Sequence, residues 1–357
     1  MGRLRGANGV ARLAPRIPRH IGPIDAYQGA AGGQNSVLLI AYVLIGAAFA
    51  FAFSIGAHYT GACMGMPYAA GAIRPARALL MMAPLALVGA VFASGAVETT
   101  VGHGILESPH VALGLALGII VSALALTSAY NFLTIPTSTI QILVFSTVGA
   151  GLAAGVSIHW ATIGALVVLW AVAPFAAFGL GYLIVRLADR FRSPGPRTRG
   201  LARAAIAGLV GVGAAASFAM GANDVSNASG AFIMTGLFGL MVAGLVGGLG
   251  IAFGVLTWGR PLLRAVAFDI VQLDARMAIS AQLAQSVVIL ASVAFGFFTS
   301  MNQALVGSMI GTGLARRQST VLWKAVRSIL AGWALGPVSG AAVGFAVTTV
   351  FAWEHLL

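Results

Sequence analysis

The sequence predicts an all-α polytopic membrane protein: two inverted repeats of about five spans each, with broken helices and hairpins meeting at a central site. Three observations carry this prediction. Hydrophobic residues make up 59% of the 357-residue chain and charged residues only 8%, where a soluble domain carries about 25%. Apolar stretches of roughly 20 residues, enough to cross about 30 Å of hydrocarbon, recur along the chain. The two halves also place the same polar and small residues at matching positions.

The composition excludes several classes of function. So few charges could not cover the surface of a soluble protein this large. The net charge of +12 comes from 20 Lys+Arg against 8 Asp+Glu. The basic residues lie almost entirely between apolar segments, where they orient a membrane protein rather than bind a polyanion. A single cysteine, Cys63, rules out an intramolecular disulfide and a Cys-based metal cluster. Neither a Walker motif nor H-E-x-x-H occurs. A multi-pass protein of the cell inner (plasma) membrane is expected, with no cofactor and no nucleic-acid partner.

Residues 1–35 form a basic N-terminal tail with Arg3, Arg5, Arg12, Arg16 and Arg19 and no short apolar region ending at a cleavage site. The first repeat, 36–186, holds spans at 36–72 (with a break near 56–65), 78–97, 110–131, 133–155 and 158–186. A cytoplasmic linker, 187–203, centres on Ser193-Pro194-Gly195-Pro196. The second repeat, 204–357, holds spans at 204–235 (broken near 221–230), 237–258, 279–298, 300–316 and 321–351. Arg264, Asp269, Asp274 and Arg276 mark 260–278 as an interfacial helix.

Aligning Phe53 with Phe218 also pairs Gly56 with Gly221, Ala57 with Ala222, Gly65 with Gly230 and Gly71 with Gly236. Thr137-Ser138 then aligns with Thr299-Ser300, Gln141 with Gln303, Ser146 with Ser308 and Gly149 with Gly311. Five crossings per half would place the halves in opposite orientations. The charges test that path. Arg74/Arg77, the 186–203 bridge, Arg260/Arg264 and the Arg316–Arg327 group fall on the cytoplasmic side. The 98–109 loop, with Glu98 and Glu107, and the C-terminus with Glu354 fall outside. The basic tail is the one exception.

The segment Gly221-Ala222-Asn223-Asp224-Val225-Ser226-Asn227-Ala228-Ser229-Gly230 sets two amides, a carboxylate and two hydroxyls inside an apolar span. Intramembrane carboxylates are costly and point to function. Glycines let the helix break and turn backbone groups toward an ion. The Thr/Ser segments around Ser138, Thr139 and Gln141, and around Ser300, Asn302 and Gln303, place hydroxyls and amides at helix mouths. Beside orphan N–H groups these make a neutral anion cradle, or simply N-caps. His58 and Tyr59 stand where the second half has Asn223 and Asp224, so they line the same cavity. Gly332, Gly336, Gly340 and Gly344 are assigned to helix packing, as is Cys63. Trp160, Trp170, Trp323 and Trp353 are assigned to an aromatic belt.

At Gly221–Gly230 and the two Thr/Ser segments the sequence resembles the inorganic phosphate transporter (PiT) family, over about residues 40 to 350. The family repeats Gly-Ala-Asn-Asp-Val-Ala-Asn-Ala and Pro-x-Ser-Thr-Thr-His in each half. The first half departs, reading Ile55-Gly56-Ala57-His58-Tyr59-Thr60-Gly61-Ala62-Cys63-Met64-Gly65. Gln141 and Gln303 replace the histidines. These departures are similar to the sulfate-permease branch of the family. The resemblance implies alternating access, cation cotransport and a homodimer.

A secondary active permease for a tetrahedral oxyanion is therefore expected, with sulfate favoured and phosphate the alternative. An anion channel and a membrane-embedded enzyme are more distant alternatives. Substrate contacts are expected from Ser138, Thr139, Ser300, Asn302, Asn223, Asn227, His58, Tyr59, Gln141 and Gln303. Asp224, with Asn223 and Asn227, is expected to carry the coupling cation. H⁺ is favoured, and Na⁺ at Asp224 and Asn227 is the alternative.

Overall fold

The computed structural model describes residues 33–133, 137–190, 199–267, 274–316 and 323–353. The basic tail, the centre of the linker, Asp269, Arg317 and Glu354 lie outside them. The first half contains α1 (Gly33–His58), α2 (Thr60–Ala69), α3 (Pro75–Phe92), α4 (Gly95–His103), α5 (Leu113–Phe132), α6 (Thr139–Ala154) and α7 (Trp160–Arg190). The second contains α8 (Arg199–Asp224), α9 (Ser226–Thr235), α10 (Leu240–Ala267), α11 (Ala275–Ala294), α12 (Met301–Ala315) and α13 (Trp323–Trp353).

Two long apolar helices break where polar residues interrupt them, at Tyr59 between α1 and α2 and at Val225 between α8 and α9. The short halves end alike. Gly71 follows α2 with φ 68° and Gly236 follows α9 with φ 70°, a left-handed conformation that glycine adopts without a Cβ penalty.

Eight candidate spans, not ten, are long and apolar enough to cross a membrane among the described residues. The expected crossings at 133–155 and 300–316 become α6, with 16 residues, and α12, with 15 residues. At 1.5 Å per residue these reach about 24 and 22 Å, short of the roughly 30 Å required. Each is instead one arm of a hairpin whose other arm, α5 or α11, counts among the eight candidates by length and composition alone. Residues flanking α5 and α6 meet: His159 donates its N–H to the Ile105 carbonyl at 2.9 Å, and Glu107 to that of Ser157 at 2.9 Å. Both open ends of the α11–α12 hairpin meet Asp189, at the end of α7. Arg316, capping α12, donates from Nε and Nη2 to Asp189 at 2.7 and 2.6 Å, and from Nη1 to Asp274. Asp274 in turn caps α11 through the N–H groups of Arg276 and Met277. A hairpin returns the chain to the side it left, as two crossings would, so the loop sides expected from the charges are unaffected.

Two further expectations change. Residues 260–267 continue α10 instead of starting an interfacial helix, and 268–273 lie outside the described residues. Glu98 is not an exposed loop carboxylate: it sits on α4 with 1% of its surface exposed.

Packing repeats between the halves. α1 lies on α10 and α8 on α3; α6 lies on α13 and α12 on α7. Gly56 leaves no room for a Cβ against the Ile251 carbonyl, nor Gly221 against that of Ala86. Gly254 meets the Phe53 carbonyl as Gly89 meets that of Phe218. Such close backbone approach is how apolar helices gain contact where lipid offers no hydrophobic driving force. Gly340 and Gly344 pack on Ile142 and Ser146 in the same way. Phe92, Phe132, Phe175, Val338 and many leucines remain exposed on the outside, as suits a lipid-facing surface.

Candidate functional site

The breaks and the hairpin tips converge. The Asn223 carboxamide donates from Nδ2 to the Thr299 carbonyl at 2.8 Å and accepts from the Thr299 N–H at 3.0 Å. It donates a second time to Asp224 Oδ2 at 3.0 Å. The second break is thereby tied to the second hairpin tip. Asn227, one turn on, donates from Nδ2 to Thr139 Oγ1 at 3.2 Å, which ties it to the first tip. Thr139 Oγ1 also pairs with the Tyr59 hydroxyl at 2.9 Å. The Tyr59 phenol in turn faces the Asp224 carboxyl across the two breaks.

His58 joins the first tip to α12. Its Nδ1 meets Asn131 Oδ1, while Nε2 lies 3.3 Å from both the Thr137 carbonyl and Asn302 Nδ2. Asn131 donates from Nδ2 to the Ser54 hydroxyl at 3.0 Å and the Ser54 carbonyl at 3.3 Å, so its oxygen is the group turned to the imidazole. The network thus assigns the Nδ1–H tautomer, with Nε2 accepting from Asn302. The one imidazole N–H is spent on Asn131. Asn302 also donates to the Thr137 carbonyl at 3.0 Å.

Ser138 and Ser300 do the same thing in the two halves. Each is the N-cap of its hairpin's second arm, accepting from the N–H of Gln141 and of Gln303 respectively, both at 3.4 Å. A cap of this kind uses the hydroxyl oxygen as acceptor. It leaves the hydroxyl proton and the remaining first-turn N–H groups as donors at the positive end of a helix dipole.

Buried polar atoms without a hydrogen-bond partner among the described residues cluster here. They include Asp224 Oδ1, Asn227 Oδ1, Thr137 Oγ1, Thr299 Oγ1, Gln141 Oε1 and Gln303 Oε1. Buried polar groups are normally paired, so this collection marks a place where a ligand or water completes the bonding. No ion pair reaches Asp224 among the described residues. Neither do the described residues hold a group of three or more His, Cys, Asp or Glu suited to a metal. Asp224 Oδ1 and Asn227 Oδ1 are nevertheless hard, unpartnered oxygens of the type an alkali cation takes.

All ten residues expected at the substrate site, and Asp224, lie on the two breaks or the two hairpin arms. Several further residues join them. Asn131 orients His58. Gln285 donates to the Met301 carbonyl at 3.3 Å, and Gln282 to the carbonyl of Ala62 at 3.1 Å and to that of Cys63. The spacing of Gln282, Gln285 and Ser286 on one face of an apolar helix was the available sequence signal. Trp170 is a correction: it is not at an aromatic belt but buried, donating from Nε1 to the Phe298 carbonyl at 3.0 Å.

Apolar spans enclosing a polar centre built from broken helices and hairpins define a multi-pass membrane protein with a central polar site. The chain belongs to the phosphate transporter family, whose sequence profile matches residues 55–209 and 202–344. It is accordingly an inorganic anion transporter of that family, a family of permeases and not of enzymes. The sulfate permease CysP of Bacillus subtilis is 30% identical over 306 residues, covering 84% of this chain and 85% of that protein. A probable low-affinity inorganic phosphate transporter of Mycobacterium bovis is 28% identical over 322 residues, covering 84% of this chain and 75% of that one. Among solved structures, a sodium-dependent phosphate transporter superposes with a TM-score of 0.80 at 21% identity, over 89% of this chain and all of the other. That likeness establishes the fold.

Proposed function

We propose that this protein is a secondary active permease for a tetrahedral inorganic oxyanion, with sulfate favoured over phosphate and H⁺ favoured over Na⁺ as the coupling ion. One observation carries the proposal: two serine-capped helix N-termini, at Ser138 and Ser300, converge on both helix breaks beside a single carboxyl, Asp224. Uncharged donors at helix ends hold an oxyanion without a fixed countercharge. Ser138 and Ser300 supply hydroxyl donors, and the Thr139–Tyr59 pair, which spends one proton on its own hydrogen bond, supplies one more. Asn302, Asn223, Asn227, His58, Gln141 and Gln303 hold the two tips around the anion.

A divalent anion entering a negative-inside cell needs accompanying positive charge, at about 2.3 kcal/mol per charge per 100 mV. Asp224 is the group to carry it. Protonation neutralises the carboxyl as the anion arrives; alternatively Na⁺ binds Asp224 Oδ1 and Asn227 Oδ1. The proton is favoured because the first break has Tyr59 where a second carboxylate would serve a second cation. Sulfate at neutral pH offers only acceptors, and an ionised carboxylate is also acceptor-only. A site with one neutralisable carboxyl and a phenol donor therefore suits sulfate. Phosphate keeps a claim through the surviving Asp224, since its hydroxyl can donate.

Residues 36–186 and 204–357 are proposed as the inverted halves that rock about this centre, in a homodimer. Labelled sulfate and labelled phosphate, offered at equal concentration to purified protein in liposomes, decide the substrate. Sulfate uptake should exceed phosphate uptake at about pH 7. The reverse result overturns the sulfate choice, and uptake of neither overturns the permease.

A further inference from the structure

Among the described residues Glu98 is the second buried carboxyl, and the transport scheme above does not use it. It projects from α4 at the junction with α9 and α10. α4 packs tightly on α9, where Gly102 and Gly230 leave no space for a Cβ against Ile233 and Val101. A Cβ placed on Gly244 of α10 would lie 3.4 Å from Glu98 Oε1.

Its partner is Ser229, the last hydroxyl of the Gly221–Gly230 segment. Ser229 Oγ lies within hydrogen-bonding distance of Glu98 Oε1 and also 3.0 Å from the Val225 carbonyl, at the break itself. A serine hydroxyl has one proton and here faces two acceptors. Both contacts are hydrogen bonds at once only when Glu98 is protonated and donates to Ser229, which then donates to Val225. With Glu98 ionised, the serine proton turns to the carboxylate and the side-chain bond to Val225 is lost. Ser94 also faces the carboxyl and lies within hydrogen-bonding distance of the Ala90 carbonyl, so the one carboxyl proton serves one of the two serines at a time.

Among the described residues no fixed charge competes for this carboxyl. α9 carries no titratable residue. On α4 itself, His103 is exposed and five positions away. On α10, Arg260 is sixteen residues from Gly244, about 24 Å along the helix. On α11, just beyond whose end the Gly296 carbonyl accepts from Thr100 of α4, Arg276 lies at the opposite end. On α3, Arg74 and Arg77 are likewise at the far end from Ser94. Burial accordingly pushes Glu98 up to about 7, against the opposing hydrogen bonds from Ser229 and Ser94. A proton therefore binds and leaves near neutral pH, next to the segment that holds Asp224.

We propose that Glu98 is a proton-binding site that sets the geometry of the α8–α9 break through Ser229, and so couples external pH to transport. The coupling role rests on the permease function proposed above; the proton binding does not.

The test uses the purified full-length protein in two arms. Infrared spectra recorded from about pH 5 to about pH 9 on protein carrying Asp224→Asn, so that the other buried carboxyl does not contribute, should show a protonated-carboxyl band that titrates near neutrality and is missing when Glu98→Gln is added. In Ser229→Ala the midpoint should move upward by about one to two pH units, because a donor to the ionised form has been lost. A band that persists in Glu98→Gln, or a midpoint unmoved in Ser229→Ala, overturns the assignment. In proteoliposomes given labelled sulfate or phosphate, wild-type uptake should rise severalfold between about pH 8 and about pH 6, whereas Glu98→Gln uptake should keep only the shallower rise that proton coupling at Asp224 supplies. A wild-type pH slope in Glu98→Gln overturns the coupling. A wild type that moves neither anion at any pH overturns the permease function and with it the coupling role, while the infrared arm still decides whether Glu98 binds the proton.

Discussion

Asn223 and Thr299 pair as two strands of a sheet would, the side-chain carboxamide of one meeting both backbone groups of the other at 2.8 and 3.0 Å. A residue of the broken helix thus behaves as part of the hairpin tip. Movement of either must carry the other, or break both bonds.

Asn223→Ala should leave the Thr299 N–H and C=O unpaired in a buried place, at about 1–3 kcal/mol each. A lower melting temperature in detergent, together with uptake reduced at least about tenfold, is expected. Asn223→Asp keeps the acceptor and loses the donor, so it should be intermediate in stability. Wild-type stability in Asn223→Ala would show that the pair does not hold the tip.

Ser138→Ala and Ser300→Ala each remove one cap and one hydroxyl donor. Loss of a donor to a charged acceptor costs about 1.5–3 kcal/mol, or roughly 10- to 150-fold in anion affinity. Threonine at either position retains both the cap and the hydroxyl and should restore most of the affinity. Transport affinity unchanged in both alanine variants would remove the serines from the anion site.

Asp224→Asn should abolish accumulation against a gradient while exchange of internal for external anion persists in part, since exchange needs no net charge carrier. The measurement is counterflow beside gradient-driven uptake in the same liposomes. An Asn variant that still concentrates the anion would exclude Asp224 from coupling. Dependence on Na⁺ at constant pH would replace the proton as the coupled ion.

Glu98 also gives the folded protein a pH-dependent stability. Because burial raises the carboxyl from 4.5 to about 7, the folded state favours its protonated form. That contribution is complete below about 4.5 and is lost as pH rises through about 7, up to about 3 kcal/mol in all. Melting temperatures across this window should fall more steeply with rising pH in the wild type than in Glu98→Gln. Equal slopes would mean that Glu98 ionises without cost.

The loop sides follow from charge and can be measured directly. Cysteine at Arg190 should react only with reagent supplied from the cytoplasmic side, and cysteine at Glu107 only from outside. The native Cys63 is buried and should contribute little background. Labelling of both positions from one side would refute the inverted arrangement of the halves.

Membrane class, the two broken helices and the Thr/Ser segments were legible in the sequence because each is written in local composition. Bilayer thickness turns an apolar run into a span, and Asn-Asp inside such a run is expensive enough to announce itself. Matched residues such as Phe53/Phe218 and Gly56/Gly221 likewise reappear as matched backbone contacts in the fold. Other features depend on which surfaces meet. Whether 133–155 crosses the membrane or returns as α6 is decided by where its ends dock, at Ile105 and Ser157, and apolar composition is the same in either case. Glu98 looked like a loop charge until α4 folded onto α9 and Ser229 covered it. Asn131 is one amide in an apolar helix, Gln282 and Gln285 share one face of another, and Trp170 is one aromatic among many. Each acquires a role only from the carbonyl or imidazole that a distant segment brings within reach. The chain alone determined that it would enter a membrane and where its helices would break; the tertiary structure decided which buried polar groups face one another, because a hydrogen bond belongs to two partners and the sequence records them one at a time.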